Sequence, residues 1–452
     1  MGVIEGVCMK KGFMFHRTYL QRLFLIPSIN ADKLWLVEKR SIVRWLLYVG
    51  MLIAFYGTLN PWFCWPIARY VHYLAAIPIV LGMLVSRNLR HGLFTRKDYF
   101  VPLFFCALLQ WGMAILSGKN INGFIVVAFS LCVYLSLFRL ERQELFRLSD
   151  MLTTSLAAIL AVSIPFYLLF KAGFPLPHSH IVPEAWDYSF ENYRFFLVDD
   201  RFAFTLLPRF HSVFLEPSHL GMACIALLYS QIGKWKTWRC RILFLGLIMT
   251  FSLAAYICLL VMTFSSAWMK GKAIIGKLLL LVVVVTGVVV GSIFYNKGQN
   301  MVNLLIVERL QLNDKGNFEG DNRTSEEFTK EYDKFASSAA ILTGKGQQAM
   351  DRFSDSTGNA GYRVFLYTYG LISLFFLLFF FASIFYTSEC LRAKMAMTAI
   401  SFLSFIAHGQ PIKYYFFIPL YILLFVDVYP ADKKNKLGLS KCKEKDCRLS
   451  ES

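Results

Sequence analysis

Charge is scarce over most of this chain. Only 17% of the 452 residues are charged, whereas 56% are hydrophobic and 16% aromatic, and the mean hydropathy is +0.50. This composition excludes an ordinary soluble domain. The long apolar runs also lack the two-residue alternation of a membrane β-barrel. The sequence therefore predicts an all-α fold, a polytopic membrane helical bundle.

Motifs of several well-known chemistries are missing. Gly344-Lys345-Gly346 lacks the earlier glycine and the following Ser or Thr of a phosphate-binding loop, which disfavours ATP-driven chemistry. The chain also lacks a nucleophile elbow and the paired-histidine motif of zinc enzymes. We therefore expect no cofactor and no metal. Arginine-based anion binding, with isolated carboxylates and histidines, is the chemistry that remains.

Cysteines are absent from the two long polar loops at 172–217 and 296–360. Of ten cysteines, only Cys64 falls in a shorter connection on the same predicted side. This distribution predicts no disulfide framework. Cys442 and Cys447, close to the C-terminal end, have no further ligands nearby, so a basic solvated tail is favoured there over a zinc site.

Apolar runs long enough for membrane helices recur along the chain. About twelve spans are predicted, at 44–58, 67–86, 99–117, 121–138, 151–171, 218–233, 240–252, 253–269, 273–295, 361–386, 394–407 and 411–429. The eighth span is the open question, because 240–269 reads either as one long helix or as two short ones that meet near Ser252.

The basic residues favour two segments at 240–269. With that choice the Lys- and Arg-rich connections share one side, which the positive-inside rule makes cytoplasmic. The prediction is a cytoplasmic segment 1–43 without a cleavable signal, a transmembrane domain 44–429 and a basic cytoplasmic tail 430–452. Both termini are then cytoplasmic, and the loops 172–217 and 296–360 are external. The net charge of +18 reflects this asymmetry and predicts no nucleic-acid partner.

Polar groups crowd the entrance of one predicted span, in LLPRFHSVFLEPSHLGMAC at 206–224. Arg209 and His211 close the first external loop, and Glu216-Pro217-Ser218 begins the next helix. Proline suits a first helical turn, whose N–H groups and dipole attract anions. The sequence predicts an anion site at the outer membrane surface. The alternative is that Arg209 is only an interfacial anchor and Glu216 only a helix cap.

This segment resembles the Arg-x-x-Gly/Ser-x-x-x-Glu-Pro-Ser pattern of Wzy-type O-antigen and exopolysaccharide repeat-unit polymerases, in the O-antigen polymerase/ligase superfamily. The matching residues are Arg209, Ser212, Glu216, Pro217, Ser218 and then Gly221. Ser212 stands where glycine is common. The second external loop is similar as well, with Arg309, Gly320, Arg323 and the stretch that begins Asn359-Ala-Gly-Tyr-Arg363. The resemblance covers roughly residues 150–430 and implies a GT-C-like bundle.

The resemblance implies a metal-independent glycosyltransferase of the bacterial inner membrane, with its active site facing the periplasm. The partners implied are an undecaprenyl-pyrophosphate-linked oligosaccharide donor and acceptor, the bilayer, a chain-length regulator and a flippase. Two roles are assigned: Arg209 and Arg323, with Arg309 as a weaker third, hold the pyrophosphate, and Glu216 is a base or orients Arg209. The substrate-binding set is completed by Ser218, His219, Gly221, Asn359 and Arg363.

Histidines and aromatic residues leave alternatives open. His211 and His219 are each either the base or a polar residue bonded to a loop carbonyl, and His408 is expected to line the active site. His178 and His180 are expected in a solvated loop. The aromatic residues of the first external loop either stack on sugars or pack a small amphipathic external helix; they are Tyr188, Phe190, Tyr193, Phe195 and Phe196.

Two rival functions are weighed against the polymerase. An O-antigen ligase would place a histidine in the second external loop, but 296–360 contains none. A transporter or flippase would carry mid-span charges and related halves, whereas the spans here have almost no charge and no internal repeat. The sequence favours the polymerase.

Overall fold

The computed structural model describes residues 31–86, 100–118, 121–183, 189–200, 209–231, 234–270, 325–353 and 361–387, with single positions between 276 and 295. The helices are α1 (Ala31–Leu59), α2 (Val71–Ser86), α3 (Phe100–Leu116), α4 (Ile121–Arg139), α5 (Arg142–Lys171), α6 (Pro217–Ser230), α7 (Trp238–Met249), α8 (Leu253–Lys270), α9 (Glu326–Ala336), α10 (Gln347–Asp351) and α11 (Gly361–Thr387). Short 3-10 helices occupy Trp62–Tyr70 and Ala339–Ile341.

Five of the described helices are long and apolar enough to cross a membrane. These stretches are Arg40–Leu59, Trp62–Ser86, Ile121–Arg139, Gln143–Lys171 and Gly361–Ser383. They overlap five predicted spans, which confirms a helical membrane protein, although Arg40–Leu59, Trp62–Ser86 and Gln143–Lys171 begin earlier than the predicted 44–58, 67–86 and 151–171. The predicted spans 394–407 and 411–429, most of 273–295 and the tail 430–452 lie outside the described residues. The total of about twelve spans therefore stays a prediction.

α1 and α2 pack closely because small residues line their contact. A Cβ at Gly50 would lie 2.5 Å from Ile79 Cγ1 and 2.6 Å from the Ala75 carbonyl oxygen, so only glycine fits there. Small residues are the usual means of close helix packing in membranes, where apolar burial between helices brings little gain over lipid.

One end of the bundle is held by a buried carboxylate. Glu144 of α5 accepts bonds from Arg44 Nε at 2.9 Å and Arg44 Nη2 at 2.8 Å, and also from Tyr48 and Arg147. Further along the same helices, Tyr56 donates to Ser155 Oγ at 2.8 Å. Both residue numbers increase between the two contacts, so α1 and α5 run parallel.

Both polar loop segments lie at the opposite end. The carbonyl of Val213, in the first loop, accepts a bond from the amide of Trp62, just after the end of α1, at 3.0 Å. In the second, a Cβ at Gly346 would lie 3.4 Å from the carbonyl oxygen of Leu116, at the end of α3. The segments predicted for one side of the membrane thus contact the same helix ends, whereas which side is cytoplasmic stays a prediction.

The 240–269 stretch forms two helices. α7 ends at Met249 and α8 begins at Leu253, with Phe251 at a left-handed φ of 47° between them. Of the two alternatives, one long helix or two short ones that meet near Ser252, the structure has the second. α7 has 12 residues and is about 18 Å long, short of the roughly 30 Å hydrocarbon layer.

The first loop contains a small antiparallel sheet, whereas one of the two alternatives for its aromatic residues was an amphipathic helix. Its strands are β1 (Ser179–Ile181), β2 (Phe190–Asn192) and β3 (Leu197–Asp199), in the order β1-β2-β3. His180 pairs with Glu191, and Glu191 pairs with Val198. A helical spacing of aromatic residues was misleading here, because short strands with tight turns bury the same side chains.

The second loop also meets a helix break. α9 and α10 bury Phe328, Phe335 and Met350 against Tyr367 of α11. Gly370 interrupts α11 with a φ of 71°, and the amides of Lys345 and Gly346 donate to the carbonyls of Tyr367 and Thr368 at 2.7 and 3.1 Å. The loop therefore supplies the donors that the interrupted helix lacks.

Candidate functional site

The end of the first loop lies across the break between α7 and α8. Arg209 Nε donates to the Thr250 carbonyl at 3.2 Å, and the amide of Phe210 donates to the Met249 carbonyl at 3.1 Å. The last carbonyls of a helix have no partner within the helix. In an apolar layer they need donors from elsewhere, and Arg209 and Phe210 provide them.

This break is recessed among the helices. α7 runs parallel to α5, because Arg239 Nη1 contacts Thr154 Oγ1 at one end and a Cβ at Gly246 would lie 2.8 Å from Leu160 Cδ1 further on. Thr250 is then level with about residue 164 of α5, roughly 10 Å short of the α5 end at 1.5 Å per residue. A charged side chain at this depth is costly without a partner.

Glu216, Ser218 and His219 form a polar group at the start of α6. Glu216 is the N-cap in an extended conformation, with Pro217 at the first helical position as predicted. The Glu216 carboxylate does not cap the helix; it accepts a bond from Ser218 Oγ at 2.9 Å and lies 3.7 Å from His219 Nε2. The N–H groups of the first helical turn therefore do not donate to this carboxylate.

Gly221 lies where α6 touches the break. A Cβ there would lie 2.8 Å from Ala255 Cβ and 3.3 Å from Thr250 Oγ1. The glycine predicted for substrate binding thus lets α6 pack closely against Thr250, whose carbonyl accepts the bond from Arg209. A contact of Gly221 with substrate stays a prediction.

His211 is 2% exposed and places Nδ1 at 2.5 Å from the Phe214 carbonyl. This is the second of the two roles expected for it, bonding to a loop carbonyl. Burial lowers its pKa, although the Phe214 carbonyl, Asp199 and Glu216 oppose the shift. Arg209 lowers the pKa further, so charged groups of both signs converge on this imidazole. A role as base stays a prediction.

Ser212 adopts a backbone conformation that favours glycine. Its φ is 54°, in the left-handed region, and its side chain is fully buried. The carbonyl of Ser212 accepts a bond from the Leu197 amide of β3 at 2.8 Å. Glycine adopts this φ without strain, whereas serine does not.

Arg363 lies at the start of α11 with aromatic neighbours. Its Cζ is 5.7 Å from the ring centre of Tyr332 and 5.9 Å from that of Tyr362, and Nε donates to the Tyr362 hydroxyl at 3.2 Å. These cation–π contacts orient the guanidinium. The other predicted residues Arg309, Arg323, Asn359 and His408 lie outside the described part of the chain.

Aromatic residues of the first loop serve packing where the structure describes them. Phe190 and Phe196 are buried, Tyr193 stacks on Phe196 at 4.7 Å, and Phe195 lies 4.5 Å from Phe166. These contacts favour the packing alternative over sugar stacking. The packing involves a small sheet and its turns, however, and not an amphipathic helix. Tyr188 is not among the described residues.

His178 and His180 do more than lie in a solvated loop. His180 belongs to β1, and both imidazoles lie within 3.5 Å of a carboxylate on the neighbouring strands. The signal in the sequence was the His-Ser-His spacing, because residues two apart on a strand share a face. Sequence reasoning missed the proximity of these histidines to the carboxylates because it expected no strand in this loop.

Comparison with known proteins identifies no relative of this chain. No protein-family profile, curated protein or solved structure matches the chain.

Proposed function

We propose that this chain polymerises polyprenyl-pyrophosphate-linked oligosaccharide repeat units into O-antigen, capsule or exopolysaccharide at the outer face of the cytoplasmic membrane. The observation that carries the proposal is the bond from Arg209 to the Thr250 carbonyl, beside the N-terminus of α6. A guanidinium fork and a helix N-terminus both favour phosphate oxygens. Their combination within the helical layer fits a lipid-linked anion.

The reaction requires one bond to form and one to break. The acceptor hydroxyl oxygen attacks the anomeric carbon of the donor sugar, and the bond from that carbon to the pyrophosphate breaks with its electron pair on the leaving phosphate oxygen. Arg209 stabilises the charge that develops there. Glu216 or its neighbour His219, 3.7 Å apart, receives the hydroxyl proton.

The finer architecture belongs to the same proposal. It has about twelve spans in a GT-C-like bundle, both termini in the cytoplasm and both large loops in the periplasm. Arg323 and Arg309 add positive charge from the second loop, and Arg363 lies at the entrance of α11. Donor and acceptor are undecaprenyl-pyrophosphate-linked oligosaccharides, and a chain-length regulator and a flippase act with the enzyme.

The test uses purified protein in liposomes with the lipid-linked repeat unit of its host and no nucleotide sugar. We expect a ladder of lengthened glycans, and Arg209→Ala is expected to slow its formation by at least about 100-fold. Arg194→Ala is the matched control, because Arg194 is an exposed arginine of the same loop. Absence of a ladder with folded protein and active lipid would refute polymerisation.

The helix breaks also suit a transporter or flippase. Secondary transporters hold anions and ions at discontinuous helices, and this chain has breaks at 250–252 and at Gly370. Liposomes distinguish the functions: a flippase moves the lipid-linked unit between leaflets without lengthening it. Transfer of a finished glycan to a different lipid acceptor would instead indicate a ligase.

A further inference from the structure

A second cluster of polar side chains lies on the sheet of the first loop, on the face that carries His180, Glu191 and Asp200. His180 and Glu191 are directly paired across β1 and β2. Glu191 pairs with Val198 on β3, and Asp200 follows Val198 by two positions. His178 precedes His180 by two positions. Since side chains alternate along a strand, these four residues share one face.

Three of these residues, His180, Glu191 and Asp200, place one ligand atom each within reach of a single ion, and His178 lies beside the far oxygen of Glu191. His180 Nδ1 lies 3.4 Å from Glu191 Oε1 and 3.4 Å from Asp200 Oδ2, and His178 Nε2 lies 3.5 Å from Glu191 Oε2. Zinc bonds of about 2.0–2.1 Å place tetrahedral ligands roughly 3.3 Å apart. One ligand atom each of His180, Glu191 and Asp200 can be chosen so that all lie within 4.8 Å of one another.

Hydrogen bonding within the cluster is incomplete. One Nδ1 carries at most one proton, so His180 cannot donate to both carboxylates. The oxygens Glu191 Oε2 and Asp200 Oδ1 are buried and have no hydrogen-bond partner among the described residues. Buried carboxylate oxygens without a donor are rare, and a bound cation would satisfy them.

His178 faces the cluster through the nitrogen that suits a metal. Its Nδ1 lies 3.3 Å from the Leu176 carbonyl, which only an N–H can satisfy. In the tautomer that donates Nδ1–H to Leu176, Nε2 carries the lone pair and faces the Glu191 carboxylate, so that two acceptors face each other. Metal-binding histidines commonly donate their other N–H to a carbonyl in this way. Similarly, Ser189 Oγ donates to Asp200 Oδ2.

We propose that His180, Glu191 and Asp200 bind one zinc ion, with His178 beside them. An imidazole and two carboxylates, with a second imidazole beside them, favour zinc over calcium or magnesium, which prefer oxygen ligands in larger number. This site departs from the sequence-based expectation of no metal. It is separate from the reaction proposed for Arg209 and stands or falls independently of that function.

The ion joins three strands that are each three residues long. Such short strands are marginally stable alone, and a metal supplies the missing stabilisation. The sheet then holds the loop of the candidate site, because Leu197 of β3 donates to the carbonyl of Ser212. The zinc ion is therefore a structural support for the segment that carries Arg209.

The experiment titrates zinc into full-length protein in detergent, after removal of metal by a chelator, against a chromophoric competitor. We expect one zinc ion per chain, with X-ray absorption showing only nitrogen and oxygen ligands at about 2.0–2.1 Å. His180→Gln and Glu191→Gln should each abolish this binding. His219→Gln and Asp351→Asn, a histidine and an exposed carboxylate outside the cluster, should retain it.

Folding of each variant is checked by helical circular dichroism and gel filtration. Should His180→Gln fail to fold, His178→Gln replaces it, since His178 lies before β1 and is half-exposed, and is expected to weaken zinc binding. Three results overturn the proposal: no one-to-one binding by wild type, unchanged binding in the folded cluster variants, or sulfur ligands at about 2.3 Å, which would indicate Cys442 and Cys447.

Discussion

Arg209 and Thr250 are 41 positions apart, and Arg209 Nε donates to the Thr250 carbonyl at 3.2 Å. The same side chain that is proposed to hold pyrophosphate thus also pairs a carbonyl at the end of α7. Since that end is recessed among the helices, the bond links the stability of the break to the position of the charge. Substitutions at this point are expected to affect folding and chemistry together.

Arg209→Lys distinguishes the effect on folding from the effect on chemistry by their size. Lysine keeps the charge but has no Nε–H fork, so it cannot both donate to Thr250 and grip phosphate through two parallel bonds. We expect a loss of about 1 kcal/mol in the free energy of unfolding, the value of one hydrogen bond, and a larger loss of glycan polymerisation. Thermal unfolding in detergent and the liposome ladder measure the two. Wild-type polymerisation by the lysine variant would contradict the bidentate role.

Ser212→Gly is expected to stabilise the protein. The left-handed φ of 54° strains serine, and its buried hydroxyl has no hydrogen-bond partner among the described residues. Glycine removes both costs but gains entropy in the unfolded chain, which leaves a net increase of about 1 kcal/mol in unfolding free energy. The measurement is the unfolding midpoint in detergent.

Ser218→Gly is the matched control for Ser212→Gly. Ser218 lies in the first turn of α6 and donates to Glu216 Oε2. The same chemical change should therefore lower stability, by about 0.5–1 kcal/mol. Equal shifts in both variants would show that the backbone conformation of Ser212 does not decide the effect.

Gly221→Ala is expected to destabilise the contact of α6 with the helix break. The new methyl group would lie 2.8 Å from Ala255 Cβ, and overpacking of this kind costs about 1–3 kcal/mol. Activity should fall as well, because the displaced residues include the partner of Arg209. At Gly287, a helical position, an added Cβ meets no described atom within 4 Å, so Gly287→Ala is the control and should not lower the unfolding midpoint.

His211 predicts a dependence of stability on pH. Burial lowers its pKa below the ordinary value of 6.5, so the unfolded chain binds more protons than the native one between the native pKa and 6.5. Stability is therefore full above about pH 6.5 and falls as the pH decreases through this window. His211→Asn retains a donor for the Phe214 carbonyl but does not titrate. Its unfolding midpoint should fall less between pH 7.5 and 5.5, and an equal fall would exclude His211 as the source.

The described helices follow the sequence closely, since membrane spans are specified by local composition. The predicted stretch 121–138 corresponds to Ile121–Arg139, and 361–386 to Gly361–Thr387. The first loop was harder to predict. Phe190 and Phe196 fit an amphipathic helix by their spacing, but they are buried by strands and turns. Three-residue strands contain too few positions to show an alternating pattern, so sequence periodicity cannot identify them.

By itself, the sequence determined that this is a helical membrane protein and that the polar motif begins the helix at Pro217, because apolar length and proline position act locally. Only the tertiary structure decided that Arg209 meets the Thr250 carbonyl and that His180 meets Glu191 and Asp200. These contacts join residues distant in the chain. They depend on where a helix breaks and how short strands pair, which local sequence specifies weakly.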